Sequence, residues 1–151
     1  DNALSKAINY ISKTLKTKVQ VINYLRTKGY EDEIVFKVID KLKEYNYIDD
    51  VEYAKKYLEF SSKKQGAKLS NYKLMAKGIR KEDLEKANQE SEIRYDISCE
   101  KVLEKYLRNK EKTKENLIKA SRYLLGKGFN YEDIENAVSK LREEDGEDFN
   151  S

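Results

Sequence analysis

One six-residue pattern occurs three times in this chain and constrains its fold more than any other feature. Leu25-Arg26-Thr27-Lys28-Gly29-Tyr30 returns as Leu74-Met75-Ala76-Lys77-Gly78-Ile79 and again as Leu124-Leu125-Gly126-Lys127-Gly128-Phe129. The glycines stand 49 and 50 residues apart. A period of that length marks an array of supersecondary units, each too small to bury its own apolar face alone. The pattern itself reads as a helix end. Glycine supplies the left-handed residue beyond the last turn, the lysine before it suits the negative terminus, and the large apolar residue after it folds back on the helix. Acids then gather where the next helix begins: Glu31, Asp32 and Glu33, then Glu82 and Asp83, then Glu132 and Asp133. Their charge favours the positive end of a helix, which accounts for them without catalysis.

Apolar spacing of three and four residues fills in the helices. Leu4, Ala7, Ile8, Ile11 and Leu15 share a face of a first helix, and Thr17 caps a second that carries Val21, Ile22 and Leu25. Ile34, Val35, Val38, Ile39 and Leu42 belong to a third. Asp49 or Asp50 caps a new helix bearing Val51, Ala54, Tyr57 and Leu58. Tyr57-Leu58 returns as Tyr106-Leu107, in a helix with Val102 and Leu103, which supports the repeat independently of the glycines. The expected fold class is all-α. Three tandem three-helix repeats, helix-turn-helix-like, occupy 1–49, 50–96 and 97–142, with an acidic disordered tail over 143–151. The third helix of the middle repeat, near Leu84 to Ile93, is poor in apolar residues, and Asn88-Gln89-Glu90-Ser91 predicts a bend or fraying there. With no proline, 6 glycines, and 38% hydrophobic against 39% charged residues, the chain has little material for β-turns, and an elongated array suits its thin core.

Charge is segregated. After Arg142 come Glu143, Glu144, Asp145, Glu147 and Asp148 with no basic residue; apart from those 5 acids the body holds 31 basic against 23 acidic residues, or +8. Such a tail reads as solvated chain, or as a competitor with nucleic acid for a basic surface. No acid occurs from Asn2 to Tyr30, nor from Phe60 to Lys81. The second helix of each repeat and the turn before it are therefore basic, more weakly in the third copy. Candidate contacts are Lys16, Lys18, Arg26, Lys28, Lys63, Lys64, Lys68, Lys73, Lys77, Arg80 and Lys81, followed by Arg122 and Lys127. Lysine outweighs arginine among them, which points to backbone electrostatics rather than bidentate reading of bases. Isolated lysines of this kind are otherwise ordinary solvated surface. Of the 12 tyrosines, Tyr10, Tyr24, Tyr57, Tyr106 and Tyr123 lie at helical spacing as core or rim residues. Tyr72, inside a basic stretch, is the candidate for stacking on an unpaired base.

Enzymatic function is not expected. There is no histidine to serve as acid, base or ligand, and Cys99, the single cysteine, has no imidazole partner. Cys99 reads instead as a small buried residue on a helix. Each Lys-Gly pair closes a helix rather than following a strand, so no phosphate-cradling loop is present. No cofactor, metal site or disulfide is expected. No apolar run approaches the ~18 residues of a membrane span, and the basic N-terminal region lacks a signal-peptide core, so the expected compartment is the cytoplasm. The sequence opens on Asp1 rather than methionine, as expected where a preceding segment has been cut away or is not included in the sequence.

These segments together resemble the RecX family. The resemblance is carried by Leu25 to Tyr30 with Ile34, Val38 and Leu42, and by Tyr47-Ile48-Asp49-Asp50-Val51-Glu52-Tyr53-Ala54, similar to that family's Gly-Tyr-Ile-Asp-Asp-x-x-Phe-Ala. Lys77-Gly78-Ile79 and Gly128-Phe129 with Ile134 and Val138 complete it, so it runs from Leu4 to Leu141. Asn46 stands where glycine is usual, a substitution that a left-handed turn tolerates, and Tyr53 stands where phenylalanine is common. The resemblance implies a curved helical ribbon that lies in the groove of the RecA–single-stranded-DNA filament as a monomer. It also implies that the ribbon lowers filament growth, ATP hydrolysis, strand exchange and co-protease activity. Single-stranded DNA would be a partner directly or through the filament. The residues by themselves leave two other classes open: a sequence-specific DNA-binding array and a protein-binding helical scaffold.

Overall fold

The structure, a computed structural model, describes residues 2–144. Among the described residues there are nine α-helices and no strand: α1 (Asn2–Lys13), α2 (Lys18–Thr27), α3 (Asp32–Glu44), α4 (Asp50–Ser61), α5 (Ala67–Ala76), α6 (Lys81–Glu90), α7 (Tyr95–Leu107), α8 (Lys114–Gly126) and α9 (Tyr131–Glu144). The all-α expectation holds, and three successive triplets of helices fit the repeat. Helix α9 carries Glu143 and Glu144, and the remainder of the acidic tail, 145–151, lies outside the described residues.

The repeated hexapeptide closes its helix in the same way each time. Gly29, Gly78 and Gly128 have φ of 92°, 90° and 91°. The glycine amide donates to the carbonyl three residues back (Arg26, Met75, Leu125), and the next amide donates to Leu25, Leu74 or Leu124 at 3.2 Å. Those two bonds satisfy carbonyls that a helix end otherwise leaves open. Leu25, Leu74 and Leu124 are all fully buried, and Ile79 and Phe129 pack inward after their glycines. Asn46 makes the fourth such ending, at φ 60°, with Tyr47 N donating to Leu42 O at 2.8 Å.

Helix starts are capped by side chains, at α2 and α4 as the sequence suggests. Thr17 accepts from Gln20 N at 3.1 Å while Gln20 Oε1 accepts from Thr17 N, a reciprocal capping box. Asp49 caps α4 through Glu52 N, Thr113 caps α8 through Asn116 N, and Asn130 caps α9 through Asp133 N. Asp50, the other candidate cap of α4, instead accepts from Lys18 N at the start of α2, at 2.9 Å.

Three local expectations need correction. Leu15 lies beyond the end of α1 and is 53% exposed, and Ile34 is 42% exposed while Val35, Val38, Ile39 and Leu42 are buried. The core face of α3 follows the 3.6-residue period, and Ile34 falls just outside it. The third helix of the middle repeat is continuous over Lys81–Glu90, through Asn88 and Gln89, and ends short of Ile93, within the stretch where weakening is expected. Leu84 and Ala87 are buried one turn apart, which is enough to seat it, and the chain leaves helical form only after Glu90.

Contacts divide the described chain into two compact units. One gathers residues 2–56 and 73–90, the other 57–72 and 91–144, so α4 and α5 each contribute to both. In the first unit α1, α2 and α3 contact one another around Ala7, Val21, Leu25, Val35, Ile39 and Leu42. In the second, α7, α8 and α9 do the same around Cys99, Leu103, Leu117, Leu124, Phe129 and Ile134. Fully burying such side chains stabilises by roughly 1.5–3 kcal/mol each.

Each unit also contains one junction of the same design. In the first, Gly78 lies so near Val19 that a Cβ would meet Val19 Cγ2 at 2.6 Å, and the Thr17 hydroxyl donates to Lys77 O at 3.3 Å. In the second, Gly66 N donates to Lys127 O at 2.8 Å, and a Cβ on Gly66 would meet Gly128 O at 2.4 Å. In both, the N-terminal turn of one second helix (α2, α5) rests on the Lys-Gly ending of the next (α5, α8). The hexapeptide is therefore a docking platform as well as a helix stop.

Candidate nucleic-acid interface

The structure divides the thirteen basic residues singled out by sequence. The first unit holds Lys16, Lys18, Arg26, Lys28, Lys73, Lys77, Arg80 and Lys81, and the second holds Lys63, Lys64, Lys68, Arg122 and Lys127. The acid-free stretch from Phe60 to Lys81 is thus shared between the units.

Two of the three candidate arginines are partly neutralised by the acids that open the following helices. Arg26 Nε meets Asp32 Oδ1 at 2.9 Å and Arg80 Nε meets Asp83 Oδ2 at 3.3 Å. A planar guanidinium beside a helix start finds a carboxylate within reach, whereas sequence alone shows only the charges. Lys18 and Arg80 line a hollow of mixed charge with Lys43, Asp49, Asp50 and Asp83. Burial raises the Asp50 carboxyl above its ordinary range, and Asp83 adds to the rise. The Lys18 amide and the charges of Lys18 and Lys43 oppose it.

Lysines on aromatic rings form a second arrangement, present once in each unit. In the first, Tyr10 of α1 and Tyr24 of α2 stack with centroids 4.1 Å apart and planes 4° from parallel. Lys16 Nζ stands over the Tyr10 ring at 4.7 Å and Lys28 Nζ over Tyr24 at 5.5 Å. In the second, Tyr106 of α7 and Tyr123 of α8 stack at 4.6 Å. Lys110 stands over Tyr106 at 4.3 Å and Lys127 over Tyr123 at 5.6 Å. Tyr24 and Tyr123 occupy the same place, one residue before the buried leucine of the hexapeptide, and Lys28 and Lys127 are its lysine. An ammonium over a ring face is held in place by the ring's quadrupole without losing its charge.

The second stack borders a groove lined by Lys63, Lys64, Lys105, Lys110 and Lys127 with Val102, Tyr106 and Tyr123. Three of those lysines or tyrosine neighbours were legible as basic stretch: Lys63, Lys64 and Lys127. Lys105 and Lys110 escape a search for acid-free stretches because Glu104 and Glu111 adjoin them in sequence. Neither of those acids lines the groove. Tyr10, Tyr24 and Tyr106 are rim residues as expected, packed against the cores, and Tyr123 is 40% exposed. Tyr72 is 69% exposed on α5.

Among the described residues no group of three His, Cys, Asp or Glu side chains is placed to hold a metal ion. Cys99 is fully buried in α7, and burial pushes its thiol up to about 12. No helix among them is long and apolar enough to cross a membrane.

Comparison with known proteins agrees with this architecture. The family model described as the first three-helix domain of RecX matches residues 3–42. The chain is 34% identical to the regulatory protein RecX of Clostridium tetani, covering 93% of this chain and 67% of that protein. This chain belongs to the RecX family. The RecX of Clostridium botulinum (strain Alaska E43 / Type E3) is 38% identical over 141 residues, 89% of this chain and 66% of its own length. The chain thus spans just under two thirds of that relative. Among solved structures, RecX from Lactobacillus salivarius superposes with a TM-score of 0.82 at 25% identity, covering 93% of this chain and 94% of that one. The helix-end glycines and the three-helix triplets described above are therefore set in a RecX fold.

Proposed function

We propose that this chain is a non-enzymatic regulator of the RecA recombinase that binds the RecA–single-stranded-DNA filament and lowers its activity. Membership of a family whose relatives carry the name regulatory protein RecX is the observation that carries this reading. The lysine-bearing surfaces support it, because a repeated basic face can follow a polyanion and the subunits bound along it. The three repeats, 1–49, 50–96 and 97–142, act as successive contact modules of a monomer working in the cytoplasm. Their contacts are drawn from Lys16, Lys18, Lys28, Lys63, Lys64, Lys68, Lys73, Lys77, Lys81, Arg122 and Lys127, with Arg26 and Arg80 contributing once their carboxylate partners are exchanged for the filament's.

The test is ATP hydrolysis by the cognate recombinase on single-stranded DNA, with this chain titrated below the recombinase concentration. A fall that persists when DNA is in excess is expected, because the chain acts on the filament rather than by sequestering DNA. Unchanged hydrolysis by the folded chain would overturn the reading. A strong preference for one duplex sequence would replace it with that of a sequence-specific DNA-binding array.

A further inference from the structure

The groove of the second unit gathers five ammonium groups on four different segments. Lys63 and Lys64 come from the turn after α4, Lys105 from α7, Lys110 from the turn after α7, and Lys127 from the end of α8. No carboxylate lines it. Among the described residues no ion pair neutralises any of the five, in contrast to Arg26, Arg80 and Arg94, each of which is held by an aspartate. Like charges so gathered repel one another and raise the local positive potential, which an anion relieves.

The tyrosines beneath determine what kind of anion contact is available. Two rings whose centroids lie 4.6 Å apart leave no room for an ammonium between them, so Lys110 and Lys127 cover the outer faces. Each ring therefore has one face on its neighbour and the other beneath a lysine. A base that stacked there would have to displace a lysine or separate the pair. Lys110 is further fixed by donating to Tyr106 O at 3.0 Å. The groove also lacks the rigid fork of an arginine, and so it offers point charges rather than a set hydrogen-bond geometry. Such a surface suits a partner with dense, regularly spaced charge and no required orientation, which describes a phosphodiester backbone better than an acidic peptide.

We propose that this groove binds the phosphodiester backbone of a nucleic acid through its lysines, with Tyr106 and Tyr123 serving as supports for Lys110 and Lys127 and not as platforms for bases. This rests on the nucleic-acid contact assumed in the proposed function and specifies what that contact reads. Binding at the groove is indifferent to base identity and to whether a base is present. The tyrosine pair keeps two long side chains ordered, so less side-chain freedom is lost when a phosphate arrives.

The experiment compares the full chain's affinity for two fluorescent oligomers of equal length, an oligothymidylate and its abasic counterpart, over a range of salt. The abasic oligomer is expected to bind within about threefold of the thymidylate. The double variant Lys105→Ala/Lys110→Ala should bind both roughly tenfold more weakly and lower the salt slope by about 1.4, from two lost phosphate contacts on a single strand. Tyr123→Leu should weaken both oligomers by the same factor, since it unseats a lysine and removes no base platform. A tenfold or greater preference for the thymidylate, lost in Tyr123→Leu, would overturn the proposal. So would an unchanged salt slope in the double lysine variant, or displacement of both oligomers by polyglutamate at equal charge concentration. ATP hydrolysis separates the two levels. Full recombinase inhibition by a double lysine variant of unchanged salt slope sinks the groove and leaves the filament reading intact. Backbone binding as described without any effect on the recombinase does the reverse.

Discussion

Gly66 N donates to Lys127 O at 2.8 Å, and the two glycines Gly66 and Gly128 approach so closely that no side chain fits between them. This hydrogen bond, together with Lys68 N donating to Gly128 O at 3.3 Å, joins the start of α5 to the end of α8, and the pattern recurs where Thr17 meets Lys77. The period near 50 residues is thus the spacing at which each second helix finds its seat.

Gly66→Ala should therefore destabilise the fold by about 2 kcal/mol, as overpacked sites do, because the new Cβ meets backbone atoms that cannot swing aside. Gly126→Ala is the control. It lies in the last turn of α8 with nothing within 4 Å of a Cβ, and it should be neutral or stabilising by up to about 1 kcal/mol. Urea denaturation followed by circular dichroism checks the order of the two.

The three helix-end glycines should not be equal. Gly29 has open space around it, so alanine there meets only the left-handed backbone, at a cost of roughly 1–2 kcal/mol. Gly78→Ala adds a clash with Val19 to the same backbone cost and should be the more destabilising of the two. Equal midpoints for both variants would show that the junction yields without penalty. Asn46→Gly should cost nothing, since the position already adopts φ 60°.

Asp50 accepts from Lys18 N yet has a carboxyl raised by burial. A raised folded value means that the folded state prefers the protonated form. The corresponding stability is present below the ordinary value of 3.8 and is lost as pH rises through the folded value. At pH 7 the ionised group is therefore a net burden, and Asp50→Asn should leave stability unchanged or raise it, because the amide oxygen still accepts from Lys18 N. A marked loss at pH 7 would show that the attraction to Lys18 and Lys43 dominates.

The Cys99 thiol, pushed up to about 12 from an ordinary value of 9.0, should stay protonated and unreactive toward maleimide in the folded chain at pH 8. Its contribution to stability is present below pH 9 and declines as pH rises toward 12, since only the unfolded chain ionises readily there. Cys99→Ala should flatten that part of the pH profile while costing about 1 kcal/mol for the buried volume. Rapid labelling in native buffer would contradict the burial.

Much of the fold was legible because its signals are local. A left-handed glycine after a lysine closes a helix through bonds to its own last turn, and Thr17, Asp49 and the apolar periods specify where helices start and which face is buried. Even the low-apolar helix α6 needed only Leu84 and Ala87 to hold its place, a margin that composition undervalued. The candidate site was legible only in part. Lys63, Lys64 and Lys127 stand in basic stretches, whereas Lys105 and Lys110 sit beside acids in sequence and join the groove only in the folded chain.

By itself, then, the sequence determined the all-α class, the repeated helix-closing glycines and most of the buried faces, because each depends on interactions within a few residues. Only the tertiary structure decided that Arg26 and Arg80 are paired, that the tyrosines stack across helices beneath lysines, and that the Lys-Gly endings carry the next helix. Those relationships join residues from 3 to 61 positions apart in the hydrogen bonds that show them, and chain order does not encode which side chains packing will bring face to face.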